Sequence, residues 1–499
     1  MISFKTFTDS ILKNKTAISS ISNSKSFNFV IGNQAADLDS TVSAIALGYY
    51  LSLTPGNSQL ENLKNTAIFP LINTSSATSK YRLDVKFVLE NFLSKNSNNN
   101  LDTSEKFGIY IDETHPDLEH LLSNPDNSNS SVYLVDHNSL NIKQTFMDKF
   151  VNGIVDHHFD EKLHLNAKIR NIHPVCSCTS LVVLMIKNRL EELQISDYRE
   201  SMPPNLIMSL LSSLSIDTSN FNDSVVEKIK DADIEATEWL LNLLDKYGTS
   251  VDSELEKVST AAAIIPESKK VRNKSSNPLF ANFSNKLFKY FTLLHSLKSD
   301  ISQLDLTDLF EKDYKLVSAE NESFGIINYG TSSIPARLAY LVKKFGVNLI
   351  SKKMHQFAHS NNLQAFIFLN SGKSKDFSNN LSTSTHHQPD YGAFGREVSI
   401  FFSPNMQLFD RASINTTIDL LAKSDLQLTP YNFSRPNNHG TLAGSSHLEQ
   451  DYNDTNSLEN DVYFFTQNNS LATRKQLIPI VSNILSQIKP KRSGNNPNL

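Results

Sequence analysis

The sequence predicts an α/β protein of two domains, the first built on a parallel sheet and the second smaller. Three observations carry this. At 499 residues the chain exceeds one ordinary hydrophobic core. Residues 27–240 alternate short apolar runs with helix-like segments, the pattern of a parallel sheet covered by helices. A mainly helical stretch, 241–300, is then followed by a second alternation over 301–490. We therefore expect a first domain over 1–240, a helical linker over 241–300 and a second domain over 301–490.

Taken in order, Phe4, Phe7, Ile11 and Leu12 share one side of an amphipathic first helix. "FNFVIG" reads as a strand and "STVSAIALGYYLSL" as the helix after it. "FGIYID" (107–112), "SVYLVD" (131–136) and "NGIVDHH" (152–158) are further strands. "PNLIMSLLSSLSID" (204–217) carries Leu206, Ile207, Leu210, Leu211 and Leu214 at the spacing of a buried helix face. In the second domain "SFGIINYG", "LQAFIFLNSG" and "REVSIFF" read as strands. "PARLAYLVKKFG" and the tail "ATRKQLIPIVSNILSQI" read as helices. Asn/Ser-rich inserts at 94–102, 123–131, 375–390 and 434–457 read as surface loops. "KKVRNK" (269–274) reads as a solvated hinge.

Composition narrows the function. The formal net charge is −5, against a dedicated nucleic-acid binder, so an anionic substrate needs a local cationic site. No apolar run reaches membrane-span length, so no membrane partner is expected. Cys176 and Cys178, one residue apart, are poorly placed to bridge and read as reduced thiols of a cytoplasmic protein. The Ser-rich, acid-poor N-terminus leaves the mitochondrial matrix as the alternative address.

Carboxylates and histidines recur at the ends of the first-domain elements: Asp37 and Asp39; Asp136; Asp156, His157 and His158; Asp217. Ligands of open parallel sheets bind beyond the carboxyl ends of the strands, so these clusters can converge. Carboxylates with one or two imidazoles suit Mg²⁺, Mn²⁺ or Co²⁺. Without a cation they would repel, and at least one would stay protonated. Taken singly, Asp37 or Asp39 reads as a helix N-cap, and Asp136 or Asp217 as a turn residue.

Together the motifs resemble the DHH phosphoesterase superfamily. "GNQAADLDS", "LVDHN", "GIVDHH" and "LSSLSIDTSNF" resemble its four motifs in order. "CSCTSLV" (176–182) resembles a segment of the branch that holds fungal-type cytosolic exopolyphosphatases and prune-like proteins. "KDYK" (312–315) and "TRKQLIP" (473–479) resemble the DHH-associated C-terminal domain shared with family II inorganic pyrophosphatases. The resemblance implies an active site in the cleft between the domains, holding two divalent cations. Asp37 and Asp136 would bind one cation; Asp39, Asp136, His157 and Asp217 would bind the other. Asp156 would orient His157, with Asn33 also just outside the ligand set. His158, Lys315, Arg474, Lys475 and Arg396 would hold phosphate, and His158, Asp136 and Lys315 would act in catalysis.

The implied activity is removal of terminal phosphate from linear inorganic polyphosphate by a metal-activated water, in a monomer. The alternatives are pyrophosphatase, nucleoside tetraphosphatase, cyclic-nucleotide phosphodiesterase, or a prune-like binding scaffold. Two departures stand out. Asn33 replaces a histidine ligand of the pyrophosphatases, which should weaken a transition-metal site and favour Mg²⁺. Glu311 replaces the arginine of the family's "RKDYK" run.

Overall fold

The computed structural model describes residues 3–17, 27–53, 67–93, 109–113, 117–123, 130–258, 277–373, 394–403, 411–433 and 462–488. The insert cores and "KKVRNK" lie outside them. The chain divides into two compact units, Met1–Asp300 and Ile301–Leu499.

The first unit runs α1 (Phe4–Ala17), β1 (Phe27–Ile31), α2 (Leu38–Ser52), β2 (Ala67–Ile72), α3 (Leu83–Val88), β3 (Ile109–Tyr110), α4 (Asp117–Ser123), β4 (Ser131–Val135), β5 (Val151–Asp156) and β6 (Ile169–Ile172). Five helices follow: α5 (Cys178–Glu192), α6 (Pro204–Asp217), α7 (Asp231–Lys246), α8 (Val251–Glu256) and α9 (Pro278–Ser299). The sheet order is β3-β2-β1-β4-β5-β6, and all its pairings are parallel. Central strand β1 is buried throughout and apolar but for Asn28, as suits a parallel sheet covered on both faces. α2 is buried at every residue but Tyr50, because it is apolar nearly all round. Phe4 and Phe7 of α1 pack on Tyr49 with ring centroids 5.2 and 5.5 Å away. The described part of 241–300 is helical, and Phe280, Phe283, Leu287, Tyr290, Leu293 and Leu294 of α9 belong to this core.

The second unit runs α10 (Leu306–Glu311), β7 (Lys315–Asn321), β8 (Gly325–Ile334), α11 (Leu338–Phe345), α12 (Val347–Ser360), β9 (Ala365–Lys373), β10 (Phe394–Phe402), α13 (Arg411–Lys423), β11 (Leu428–Pro430), β12 (Val462–Gln467) and α14 (Arg474–Ser486). Its sheet order is β11-β12-β10-β9-β8-β7, antiparallel except for β8 with β9. Alternate residues of β9 face opposite ways. Ala365, Ile367 and Leu369 join the core with Leu421, Val481 and Ile484 of α13 and α14. On the other side Phe366 meets Phe310 and Phe357, at 5.2 and 4.8 Å between centroids. Buried Glu397 of β10 pairs with Arg337 and accepts from the Leu338 N–H (3.1 Å), closing the start of α11.

Candidate metal centre

The chain leaves β1 toward β2 on one side, and β4 leads to β5 on the other. The strand order therefore reverses between β1 and β4, where open α/β sheets form a crevice at the strands' carboxyl ends. The two loops that start there carry Asn33, Asp37 and Asp39, and Asp136. The first loop turns tightly. A Cβ on Gly32 would collide with the Ser40 hydroxyl and lie 2.9 Å from the Ser40 carbonyl, so the strand end meets the helix start only without a side chain.

Asp37 is the N-cap of α2, its Oδ1 accepting from the Ser40 N–H at 3.2 Å. Asp39, two residues on, is buried. Its Oδ1 accepts from the Ser177 and Thr179 hydroxyls (2.8 and 2.7 Å), the Thr179 N–H (2.8 Å) and the Ser213 hydroxyl (3.0 Å). Oδ2 accepts from the Cys178 N–H (2.8 Å) and lies 3.8 Å from His157 Nε2. The start of α5 thus points its N–H groups at this carboxylate, a favourable place for negative charge. Oδ2 is the oxygen left to reach into the site.

Asp136 takes a left-handed backbone, φ 62°, directly after β4. A non-glycine residue there is strained by about 1–3 kcal/mol, a cost tolerated mainly at functional sites. Its Oδ2 accepts from Asn33 Nδ2 at 2.6 Å, while Asn33 Oδ1 accepts from the Ala35 N–H at 2.9 Å. Flipping the amide would break both bonds, so Asn33 presents a donor to Asp136. Asp136 Oδ1 is buried without a hydrogen-bond partner and lies 3.1 Å from His157 Nε2.

His157 Nδ1 lies 3.1 Å from the Val175 carbonyl and donates to it, which aims Nε2 at Asp136 and Asp39. The sequence reading gave the orienting role to Asp156. The structure instead sets Asp156 Oδ1 2.8 Å from His158 Nδ1 and lets it accept from the His157 N–H (2.7 Å). Asp156 Oδ2 accepts from Asn138 Nδ2 at 2.5 Å. Burial opposes the charge on Asp156, but the bonds from His158 and Asn138 outweigh it and hold the pKa below the usual value. The His158 side chain is 56% exposed, and its contact with Asp156 raises its pKa.

Asp217 ends α6. Ser213, one turn earlier, has its hydroxyl 3.3 Å from Asp217 Oδ2 and 3.0 Å from Asp39 Oδ1. Beyond Asp217, Ser219, Asn220 and Phe221 all have positive φ. This left-handed turn is held by α9: Asn220 Nδ2 donates to the Ser284 carbonyl (3.1 Å) and hydroxyl (2.9 Å), and Phe221 packs on Phe280 and Phe283.

The carboxylates repel as expected. Burial, then the charges of Asp39 and Asp37, push the carboxyls of Asp136 and Asp217 well up. Burial opposes a charged His157, yet the Asp136 contact and the charges of Asp39 and Asp136 push its pKa up as well. The site thus takes protons where positive charge is wanted. Asp136, His157 and His158 lie close enough to hold one metal ion. The orphaned Asp136 oxygen, the inward Nε2 and the free side of Asp39 Oδ2 fit a hard or borderline divalent cation.

In the second unit, Lys315 opens β7 and Lys475 sits in the first turn of α14, both exposed. Arg474 is held by Asp313: Nη1 donates to its carbonyl (2.6 Å) and Nη2 to Oδ1 (2.9 Å). It thereby ties the start of α14 to the "KDYK" run. Arg396 Nε donates to the Ser470 carbonyl at 2.8 Å, three residues before the Thr473 N-cap.

Sequence reading missed several parts of this arrangement. The Val175 carbonyl has no letter of its own. Ser177, Thr179 and Ser213 are donors to Asp39, for which only the hydroxyl-rich "CSCTS" and the Ser213/Asp217 helix spacing were signals. Asn138 supports Asp156 by donating to its Oδ2.

Two family models match this chain in succession. "DHH family, N-terminal domain" matches residues 28–213, and "DHHA2 domain" matches 292–484. The chain belongs to the DHH superfamily. A Schizosaccharomyces pombe protein named "Putative exopolyphosphatase" is 30% identical over 234 residues, 46% of this chain and 53% of that one. The match therefore spans about half the length of that relative. Human "Exopolyphosphatase PRUNE1" is 22% identical over 427 residues, covering 86% of this chain and 74% of its own. A Methanococcus jannaschii structure described as a "putative family II inorganic pyrophosphatase" covers 92% of this DHH chain and 99% of its own, at 14% identity and a TM-score of 0.43.

Proposed function

We propose that this DHH protein is a metal-dependent phosphoanhydride hydrolase that releases terminal orthophosphate from linear inorganic polyphosphate. The observation that carries the reading is the buried, unpartnered Asp136 oxygen facing His157 Nε2, with Asp39 beside it. The names of the S. pombe and human relatives support the phosphoanhydride class and the polyphosphate substrate.

Two divalent cations are proposed, held by Asp37, Asp39, Asp136, His157 and Asp217. When bound, such cations acidify a water and draw charge from phosphate oxygens. The side chains supply the rest. Thr179, Ser177 and Ser213 fix Asp39, and Val175 fixes the His157 tautomer. Asp156 holds His158 through Nδ1, leaving Nε2 to donate a hydrogen bond or proton to the substrate. Lys315, Lys475, Arg474 and Arg396 are assigned to neutralising phosphate oxygens. Catalysis by positioning and charge neutralisation needs no covalent enzyme intermediate. The same reading places a monomer in the cytoplasm, and the free, buried thiols of Cys176 and Cys178 support a reducing compartment.

The test is orthophosphate release from long polyphosphate, tripolyphosphate and pyrophosphate, each with Mg²⁺, Mn²⁺ and Co²⁺. Release from the two polyphosphates well above that from pyrophosphate is expected. Fastest turnover of pyrophosphate would reassign the substrate, and no release with any metal would point to a binding scaffold.

A further inference from the structure

Asp233 lies at the start of α7 and is fully buried. Its Oδ2 accepts from the Lys230 N–H at 2.8 Å, which closes the helix start. Capping needs only that contact and is ordinarily done at the surface, where the carboxylate stays hydrated. Burying a carboxylate is costly unless its lone pairs are filled. Here three more donors fill them, all from the segment 57 to 53 residues upstream: the Cys176 N–H (2.9 Å), the Ser177 N–H (3.3 Å) and the Ser180 hydroxyl (2.5 Å).

That segment has two sides. Seven donors of residues 176–180 divide between two buried carboxylates. Asp233 takes the Cys176 N–H, the Ser177 N–H and the Ser180 hydroxyl; Asp39 takes the Ser177 hydroxyl, the Cys178 N–H and both Thr179 donors. Ser177 serves both, through its N–H and its hydroxyl. Asp233 therefore pins the loop from behind, and the loop sets the angle at which Asp39 Oδ2 faces His157 Nε2.

We infer that Asp233 is a positioning residue for the metal centre, acting on Asp39 through the Cys176–Ser180 segment. This rests on Asp39 being a metal ligand, as proposed above. Replacing the carboxylate with an amide sets an NH₂ group against donors, so Asp233→Asn loses at least one loop contact while keeping shape and volume.

The experiment is calorimetric titration of Mn²⁺ into the metal-stripped full-length protein. Wild type is compared with Asp233→Asn, Ser180→Ala and Ser250→Ala, each melted without metal to confirm folding. Ser250 caps α8 through the Ser253 N–H and touches none of these residues, so it controls for loss of a helix cap alone. Asp233→Asn should bind Mn²⁺ about 10- to 100-fold more weakly, the range for partners behind metal ligands. Ser180→Ala, with one donor removed and the cap intact, should weaken binding about two- to fivefold, and Ser250→Ala should leave it unchanged. Wild type that takes up no Mn²⁺ overturns the metal reading and this inference with it. Wild type that binds, beside a folded Asp233→Asn within twofold of it, overturns the inference alone. Should Asp233→Asn not fold, unchanged affinity in Ser180→Ala overturns it instead.

Discussion

Replacing Asp136 by asparagine separates the metal from the fold. In the folded chain burial, then the charges of Asp39 and Asp37, push the Asp136 carboxyl from 3.8 up to about 8. A carboxyl raised in this way favours folding in acid and loses that advantage as the pH climbs from its unfolded value to its folded one. At 1.36 kcal/mol per unit, Asp136 alone withdraws roughly 3–4 kcal/mol of metal-free stability between pH 5 and pH 8. Its side chain is 3% exposed, so solvent screens little of this. Asparagine does not titrate. Its oxygen can still accept from Asn33, and its NH₂ can donate to His157 Nε2, now 3.1 Å from the orphaned oxygen. Asp136→Asn should therefore fold, and in EDTA its urea midpoint should fall less than that of wild type from pH 5 to pH 8. Stabilisation by added Mn²⁺ and metal-dependent orthophosphate release should both vanish. Parallel pH curves for the two proteins, or Mn²⁺ stabilisation retained in the variant, would refute the reasoning.

Three further outcomes are expected. Thr179→Val keeps the buried shape but removes a 2.7 Å bond to Asp39; a bond to a charged group is worth about 1.5–3 kcal/mol, and five other donors put the loss at the low end, read as a lower urea midpoint. Lys475→Ala, at an exposed position on the second unit, should raise KM for polyphosphate several-fold with calorimetric Mn²⁺ affinity unchanged; unaltered KM and kcat would remove it from the site. Asn33→His exchanges an amide donor for an imidazole ligand, so Mn²⁺ affinity should rise relative to Mg²⁺; equal affinities before and after would show that Asn33 does not set the preference.

β1, β4 and β5 of the first sheet were readable because they are mostly apolar runs that each end in the polar residues of the site, whereas β2, which carries Pro70, and the half-polar β6 were not. β7 was not, since "KLVSAEN" is an edge strand with mixed polarity, and its lysine drew attention as a binding residue instead. β12 was hidden after a long polar insert, and the three-residue β11 is too short for periodicity. At the first motif Asp37 caps α2 through Oδ1, whereas Asp39 turns inward to the start of α5. Asp233 follows Asp231 at a helix start, and nothing in that local pattern discloses a loop more than fifty residues upstream. The orienter of His157 is a backbone oxygen, beyond the reach of any residue alphabet.

The left-handed turn after Asp217 also imposes an order in time. Its anchor, Ser284, lies 64 residues beyond Asn220. At about 5–20 residues per second, a ribosome needs roughly 3–13 seconds to cover that distance. Throughout that interval the emerging chain already carries all four motifs of the first domain but not the helix that holds the last of them in place. The centre is spelled out early in synthesis and braced late.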